Sequence, residues 1–146
     1  MKNFFFLLLG LLVILGSIYL FWNQPIPRDI ETRVIKINDT SFQVEVARTP
    51  ETRGQGLSGK PNLPDGTGMF FIFDTPDKYG FWMKDMNFAI DIVWIDENLT
   101  VVDVIKELKP DTFPQIFYPN KAVKYVLELP AGSALKYRID IGAVIQ

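Results

Sequence analysis

Two acidic residues set in apolar, strand-like runs are the groups through which this chain could do chemistry: Asp91 in Ile90-Asp91-Ile92-Val93-Trp94-Ile95, and Glu128 in Lys124-Tyr125-Val126-Leu127-Glu128-Leu129. Alternation along a strand puts Asp91 on one face with Val93 and Ile95, and Glu128 on one face with Lys124 and Val126. A carboxylate flanked by apolar residues on its own face is partly buried and needs a partner such as Lys84, Arg53 or backbone donors. Burial raises the pKa of such a group, and a nearby cation lowers it. Histidine and cysteine are both absent. That removes the usual general base, the usual zinc ligand and the triads built on either residue, so any reaction must use carboxylates, Lys, Arg, Tyr, Ser or Thr.

Three function classes fit these residues. In a binding module, Trp82 offers a stacking face while Arg53, Lys84, Asp85, Asp91 and Glu128 offer polar contacts to a small polar or glycan-like ligand. In a carboxylate hydrolase, Asp91 and Glu128 divide the roles of nucleophile or base and acid, which requires about 5 Å between them for retention or about 6.5–9.5 Å for inversion. In an interaction or assembly factor, Phe113, Phe117 and Tyr118, within the proline-flanked stretch 110–119, supply an apolar patch. Each residue also has a plain structural role available. Buried carboxylates hold loops by accepting backbone hydrogen bonds, Trp82 packs at a core or rim, and the 110–119 aromatics fold a loop onto the core. The binding module needs the fewest special pKa values. Asp85, Asp91, Asp96 and Glu128 match no calcium loop, so neither a metal nor a cofactor is expected.

The elements that must position these groups are short. Val34, Ile35 and Ile37, the polar turn 38–41, and the alternating Phe42, Val44 and Val46 read as a hairpin. Thr49-Pro50-Glu51 is a helix start, with Thr49 as cap, Pro50 at the first helical position and Glu51 favoured by the dipole. Gly54, Gly56, Gly59, Pro61 and Pro64 end that helix within two or three turns. Further strands are expected over 68–73, 80–84, 90–95, 99–108 and 123–129, with 96–98 closing a second hairpin. A helical turn or two over 131–138 precedes a last strand over 142–145. This pattern predicts a mainly β domain, a compact antiparallel barrel or sandwich with one or two short helices.

That domain follows a membrane segment. Residues 4–22 carry no charge, and fourteen of the nineteen are Phe, Leu, Ile or Val. As a helix they would span about 28 Å, close to the roughly 30 Å of a bilayer's hydrocarbon. The run exceeds a signal peptide's apolar stretch and closes on the bulky Tyr19, Leu20, Phe21 and Trp22, which favours a retained single-pass anchor over a cleaved leader. Lys2 before the run places the N-terminus in the cytoplasm and the remainder outside. The expected organisation is an anchor at 1–22, a proline-bearing linker at 23–32 and an extracytoplasmic β-domain at 33–146. Without Lys2, the 15 basic residues become 14 against 17 acidic ones, a net charge of −3 with no basic stripe. Nucleic acid is therefore not an expected partner; the membrane, through 4–22, and an envelope ligand or protein are.

Several ordered blocks carry a resemblance. Gly68-Met69-Phe70-Phe71-Ile72-Phe73, Phe81-Trp82-Met83-Lys84, Ile90-Asp91 and Tyr125-Val126-Leu127-Glu128-Leu129-Pro130-Ala131-Gly132, with Thr49-Pro50-Glu51 and the Arg53, Gly56, Leu57 spacing upstream, resemble the signature of the family called domain of unknown function 192. Departures fall at Ser58, Lys60, Asp85 and Ala89, where the family usually has Met, Arg, Asn and Pro. The resemblance implies a compact, mainly β domain, often secreted or anchored, and it implies no established reaction.

Overall fold

The computed structural model describes residues 14–17, 19 and 30–146. Residues 14–17 and 19 are helical, residues 30–32 of the expected linker are described with Thr32 already in the first strand, and the rest of the expected anchor and linker lies outside the described residues. Among the described residues no helix is long and apolar enough to cross a membrane.

The domain is one six-stranded sheet with short helices. Its strands are β1 (Thr32–Ile37), β2 (Thr40–Ala47), β3 (Thr67–Asp77), β4 (Ile90–Ile95), β5 (Val101–Leu108) and β6 (Val123–Pro130), and the helices are α1 (Pro50–Gln55) and α2 (Ser133–Lys136). The strand order is β1-β2-β3-β6-β4-β5. The two expected hairpins form, β1 with β2 and β4 with β5, both antiparallel. The wholly antiparallel expectation is corrected at one place, because β2 and β3 pair in parallel. The intervening chain, α1 and the turns after it, crosses back over the sheet and re-enters in the same direction, as a parallel pair requires. The sandwich alternative is corrected too. There is one sheet, and residues 142–146 tie its edges together by bridging Ile37 to Ile145 and Thr100 to Val144. The expected last strand is thus reduced to these bridges.

α1 begins as its sequence dictates. Thr49 accepts a hydrogen bond from Thr52 N–H while the Thr52 hydroxyl accepts one from Thr49 N–H, so two otherwise orphaned donors are satisfied reciprocally. The helix stops at Gly56, whose φ of 49° favours glycine.

Alternation along the strands builds a core on each face. One contains Phe42, Val44, Phe70, Val93, Ile95, Leu127 and Leu129. The other contains Met69, Phe71, Phe73, Ile92, Trp94 and Val126, covered by Leu57 and Met83 from the loops. All six residues of β4 are buried for this reason, each large apolar one contributing about 1.5–3 kcal/mol. β3 and β6 approach so closely at Gly68 that a Cβ there would stand 2.6 Å from the Glu128 carbonyl oxygen and 2.9 Å from a Leu129 methyl. Gly68→Ala is expected to prise the pair apart and lower stability by about 1–3 kcal/mol. A urea midpoint unchanged from the parent would show that the sheet absorbs the methyl.

Candidate functional site

Glu128 lies on β6 between Met69 of β3 and Ile92 of β4. Both neighbours are apolar, and the residue is only 5% exposed. Its Oε2 is buried with no hydrogen-bond partner. Burial alone pushes its pKa from the ordinary 4.5 up to about 8, since removing water penalises the charged form. At neutral pH the group is mainly a neutral acid, with one donor and spare acceptor capacity.

This carboxyl lines a cleft of about 280 Å³ walled by Leu57, Phe71, Phe73, Tyr79, Phe81 and Trp82, with Arg53 and Met86 beside them. The aromatic wall is fixed from behind. Phe73 and Tyr79 stack with centroids 3.5 Å apart, Phe71 meets Phe81 edge-on at 4.9 Å, and the Trp94 indole N–H donates to the Tyr79 carbonyl at 3.2 Å. Phe81 and Phe117 exchange backbone hydrogen bonds at 2.9 and 2.8 Å. This single bridge replaces the strand expected over 80–84. Ile116 and Tyr118 crowd Gly80 from outside, and Asp85 turns the chain away with a φ of 54°.

Arg53 reaches the cleft from α1. Its Nη1 donates to the Arg48 and Ile72 carbonyls at 2.5 and 2.9 Å, and the guanidinium lies 5.0 Å above the Phe73 ring. It therefore braces the wall and forms no ion pair with Glu128. Trp82 is 48% exposed at the rim and touches Phe113 edge-on, with centroids 6.0 Å apart.

The remaining predicted residues lie elsewhere. Asp91 is fully buried, and its carboxylate accepts hydrogen bonds from the Glu107, Gly132 and Ala134 N–H groups at 2.7, 3.2 and 2.7 Å. It pairs across to Leu129, whereas Ile92 pairs to Glu128. Asp91 and Glu128 therefore point to opposite faces of the sheet, and the two-carboxylate hydrolase is corrected: the pair shares no cleft. Lys84 and Asp85 are exposed and do not line the cleft, and their backbones hold the turn: Ser58 Oγ donates to the Lys84 carbonyl and Gly59 N–H to the Asp85 carbonyl, each at 2.8 Å. The left-handed backbone at Asp85 explains its tolerance where the family usually has Asn, since both residue types adopt this conformation comparatively easily. Phe117 is half-buried against the core, while Phe113, Ile116 and Tyr118 are exposed.

A wider cleft of about 860 Å³ lies between α1, the end of β2 and residues 58–61. Several of its charges are already paired, Lys60 with Glu45 at 2.6 Å and Glu31 with Arg33 and Arg48 at 2.7 and 3.1 Å. The smaller cleft contains the buried acid without a hydrogen-bond partner. Among the described residues no three acidic side chains gather to hold a metal ion.

Strand alternation assigns Phe71, Phe73 and Phe81 to the core, but it does not single out Leu57, Tyr79 or Met86. All six are core and cleft wall at once. The signal present in the sequence is the shared face of Phe71 and Phe73 on β3. The register that sets Met69 beside Glu128 has no such local signal.

A family model described as DUF192, Uncharacterized ACR, matches residues 33–146. A UPF0127 protein of Pyrococcus abyssi is 35% identical over 68 residues, covering 47% of this chain and 52% of that protein. The chain thus spans about half the length of this curated relative. Two solved structures share the fold. One, a candidate transcription regulator from Sinorhizobium meliloti, has a TM-score of 0.76 at 24% identity, covering 80% of this chain and 94% of that one. The other, a protein of unknown function from Novosphingobium aromaticivorans, has a TM-score of 0.77 at 23% identity, covering 84% and 91%.

Proposed function

The chain belongs to the DUF192 family, whose description carries no activity, and from the cleft itself we propose a membrane-anchored binding module for one small polar or glycan-like ligand. The observation that carries this reading is the Glu128 Oε2, buried and unpartnered in an aromatic-walled cleft. An orphaned buried polar atom costs about 1–3 kcal/mol, and a ligand that bonds to it recovers that cost. A cleft of about 280 Å³ suits a single ring or its equivalent, just below the usual range of small-molecule sites. Trp82 at the rim supplies a stacking face over the entrance. Residues 4–22 hold the module on the membrane with its N-terminus cytoplasmic, and the domain faces the envelope.

The test is a panel of envelope monosaccharides and small polar metabolites titrated into the full chain in a polyoxyethylene detergent, read by NMR shifts. Shifts at Glu128, Phe73 and Trp82 are expected. Trp82→Ala is expected to weaken the ligand found by about tenfold. Its effect on the melting temperature should be small, because this side chain is half exposed. A panel that moves none of these residues removes the reading.

One observation favours a second reading. Trp82, Phe113, Ile116 and Tyr118 leave 42–59% of their surfaces exposed, and Phe113 touches Trp82 while Ile116 and Tyr118 crowd Gly80 next to it. An envelope protein seated there would be lost from membrane co-purifications when Phe113 and Tyr118 are both changed to Ser, with ligand binding at Glu128 kept.

A further inference from the structure

We infer that the ligand of the Glu128 cleft is an organic ammonium ion, whose charge supplies the partner this carboxyl lacks and whose hydrocarbon body packs against Phe71, Phe73, Tyr79, Phe81 and Trp82. This rests on the binding reading above and narrows it to one chemical class.

Three observations lead to it. Glu128 Oε2 is buried and unbonded. The one guanidinium lining the cleft forms no ion pair with Glu128: its Nη1 donates to the Arg48 and Ile72 carbonyls, and it lies over the Phe73 ring. Four aromatic side chains besides Phe73 line the same small volume, and aromatic faces attract cations through the ring quadrupole. An anion would meet the buried acid and aromatic rings in the same small volume. A neutral polyol could bond to Oε2 but would gain little from the quadrupoles.

The proton balance follows. Glu128 enters the complex ionised, so its carboxyl proton leaves to solvent as the ammonium arrives. The charged or titratable groups lining the cleft with it are Arg53 from α1 and Tyr79 in the wall, and Lys124 shares its strand face four residues away, outside the cleft. β3 and β4 present Met69 and Ile92 beside it, and neither ionises. With the carboxyl held at about 8, binding of a permanently charged ammonium must strengthen as pH rises towards that value.

Choline, its uncharged carbon isostere dimethylbutanol, and glucose are the probes, titrated into the full chain in polyoxyethylene detergent by calorimetry and NMR. Choline is expected to bind ~10-fold or more tightly at pH 8.5 than at pH 6.5, releasing about one proton per molecule at the lower pH. That release is read from the dependence of heat on buffer ionisation. Dimethylbutanol is expected to bind at least ~10-fold more weakly than choline. Glu128→Gln should abolish the pH dependence and bring choline down to the level of the alcohol. Failure of choline to bind, or binding without proton release, overturns the inference even if the variant does not fold. If glucose still shifts the cleft residues, only the ammonium assignment falls. If neither glucose nor the wider panel shifts them, the binding reading falls as well.

Discussion

Replacing Asp91 by Ala is expected to cost the fold about 3–6 kcal/mol, a large part of the roughly 5–15 kcal/mol available to a domain of this size. The loss comes from three backbone N–H groups. A bulge in β5 sets Lys106 and Glu107 opposite Asp91 and holds Glu107 at a φ of 55°, which turns its N–H towards the carboxylate. Gly132 and Ala134, at the start of α2, donate to the same group, and α2 has no cap from its own Gly132. One side chain on β4 thus fastens the β5 bulge and the β6–α2 turn together. In the Ala variant these donors are left without this acceptor at a buried site. Asp91→Asn keeps an acceptor oxygen but turns an NH2 group towards donors, so about 2–4 kcal/mol is expected. Chemical denaturation of the full chain measures both. A loss below about 1 kcal/mol for the Ala variant would mean that water or a local shift replaces the carboxylate, and the fastening role would be wrong.

Glu128 is expected to make the protein less stable as pH rises through neutrality, by several kcal/mol, on the order of 5, between pH 4.5 and 8. The sign follows from its folded pKa, about 8 against the ordinary 4.5. Between these values the folded state holds a proton that the unfolded chain has released, so unfolding free energy falls with pH. Stability is full below about 4.5, declines by roughly 1.4 kcal/mol for each pH unit crossed, and levels off above about 8. The chain has no histidine, so among its side chains little else titrates there. Glu51 and Asp65, whose pKa values are lowered, the first chiefly by a backbone hydrogen bond and the second by Lys136, act below the window. Urea midpoints at pH 5 and pH 8.5 should differ strongly in the parent and little in Glu128→Gln. Parallel pH profiles for the two proteins would show that Glu128 is hydrated or paired in solution. The same free energy opposes ionisation in the empty cleft, and a bound ammonium would offset it.

The domain's local structure was readable because it depends on near neighbours. The Thr49-Pro50 cap, the turn-bounded hairpins and the alternation that sorts Val93 from Trp94 are each set within a few residues. The 80–84 segment misled because apolar Phe81, Trp82 and Met83 read as strand. Its partner is one residue, Phe117, and Gly80 is hemmed in by Ile116 and Tyr118 from a distant loop. The parallel β2–β3 pair was not readable either. A composition that ends α1 does not say in which direction the chain re-enters the sheet.

By itself the sequence determined that the domain is mainly β, that its chemistry cannot use histidine or cysteine, and that Asp91 and Glu128 each sit among apolar residues on one face of a strand. These properties follow from residue type and the two-residue period of a strand. Tertiary structure alone decided what the two acids do. Pairing Asp91 with Leu129 and Ile92 with Glu128 sends the carboxyl groups to opposite faces. One meets three backbone donors and becomes a structural fastening; the other meets Met69, Ile92 and aromatic rings and is left without a partner. A shift of register by one residue would reverse the faces of β6, and strand register is fixed only when the whole sheet packs its two cores.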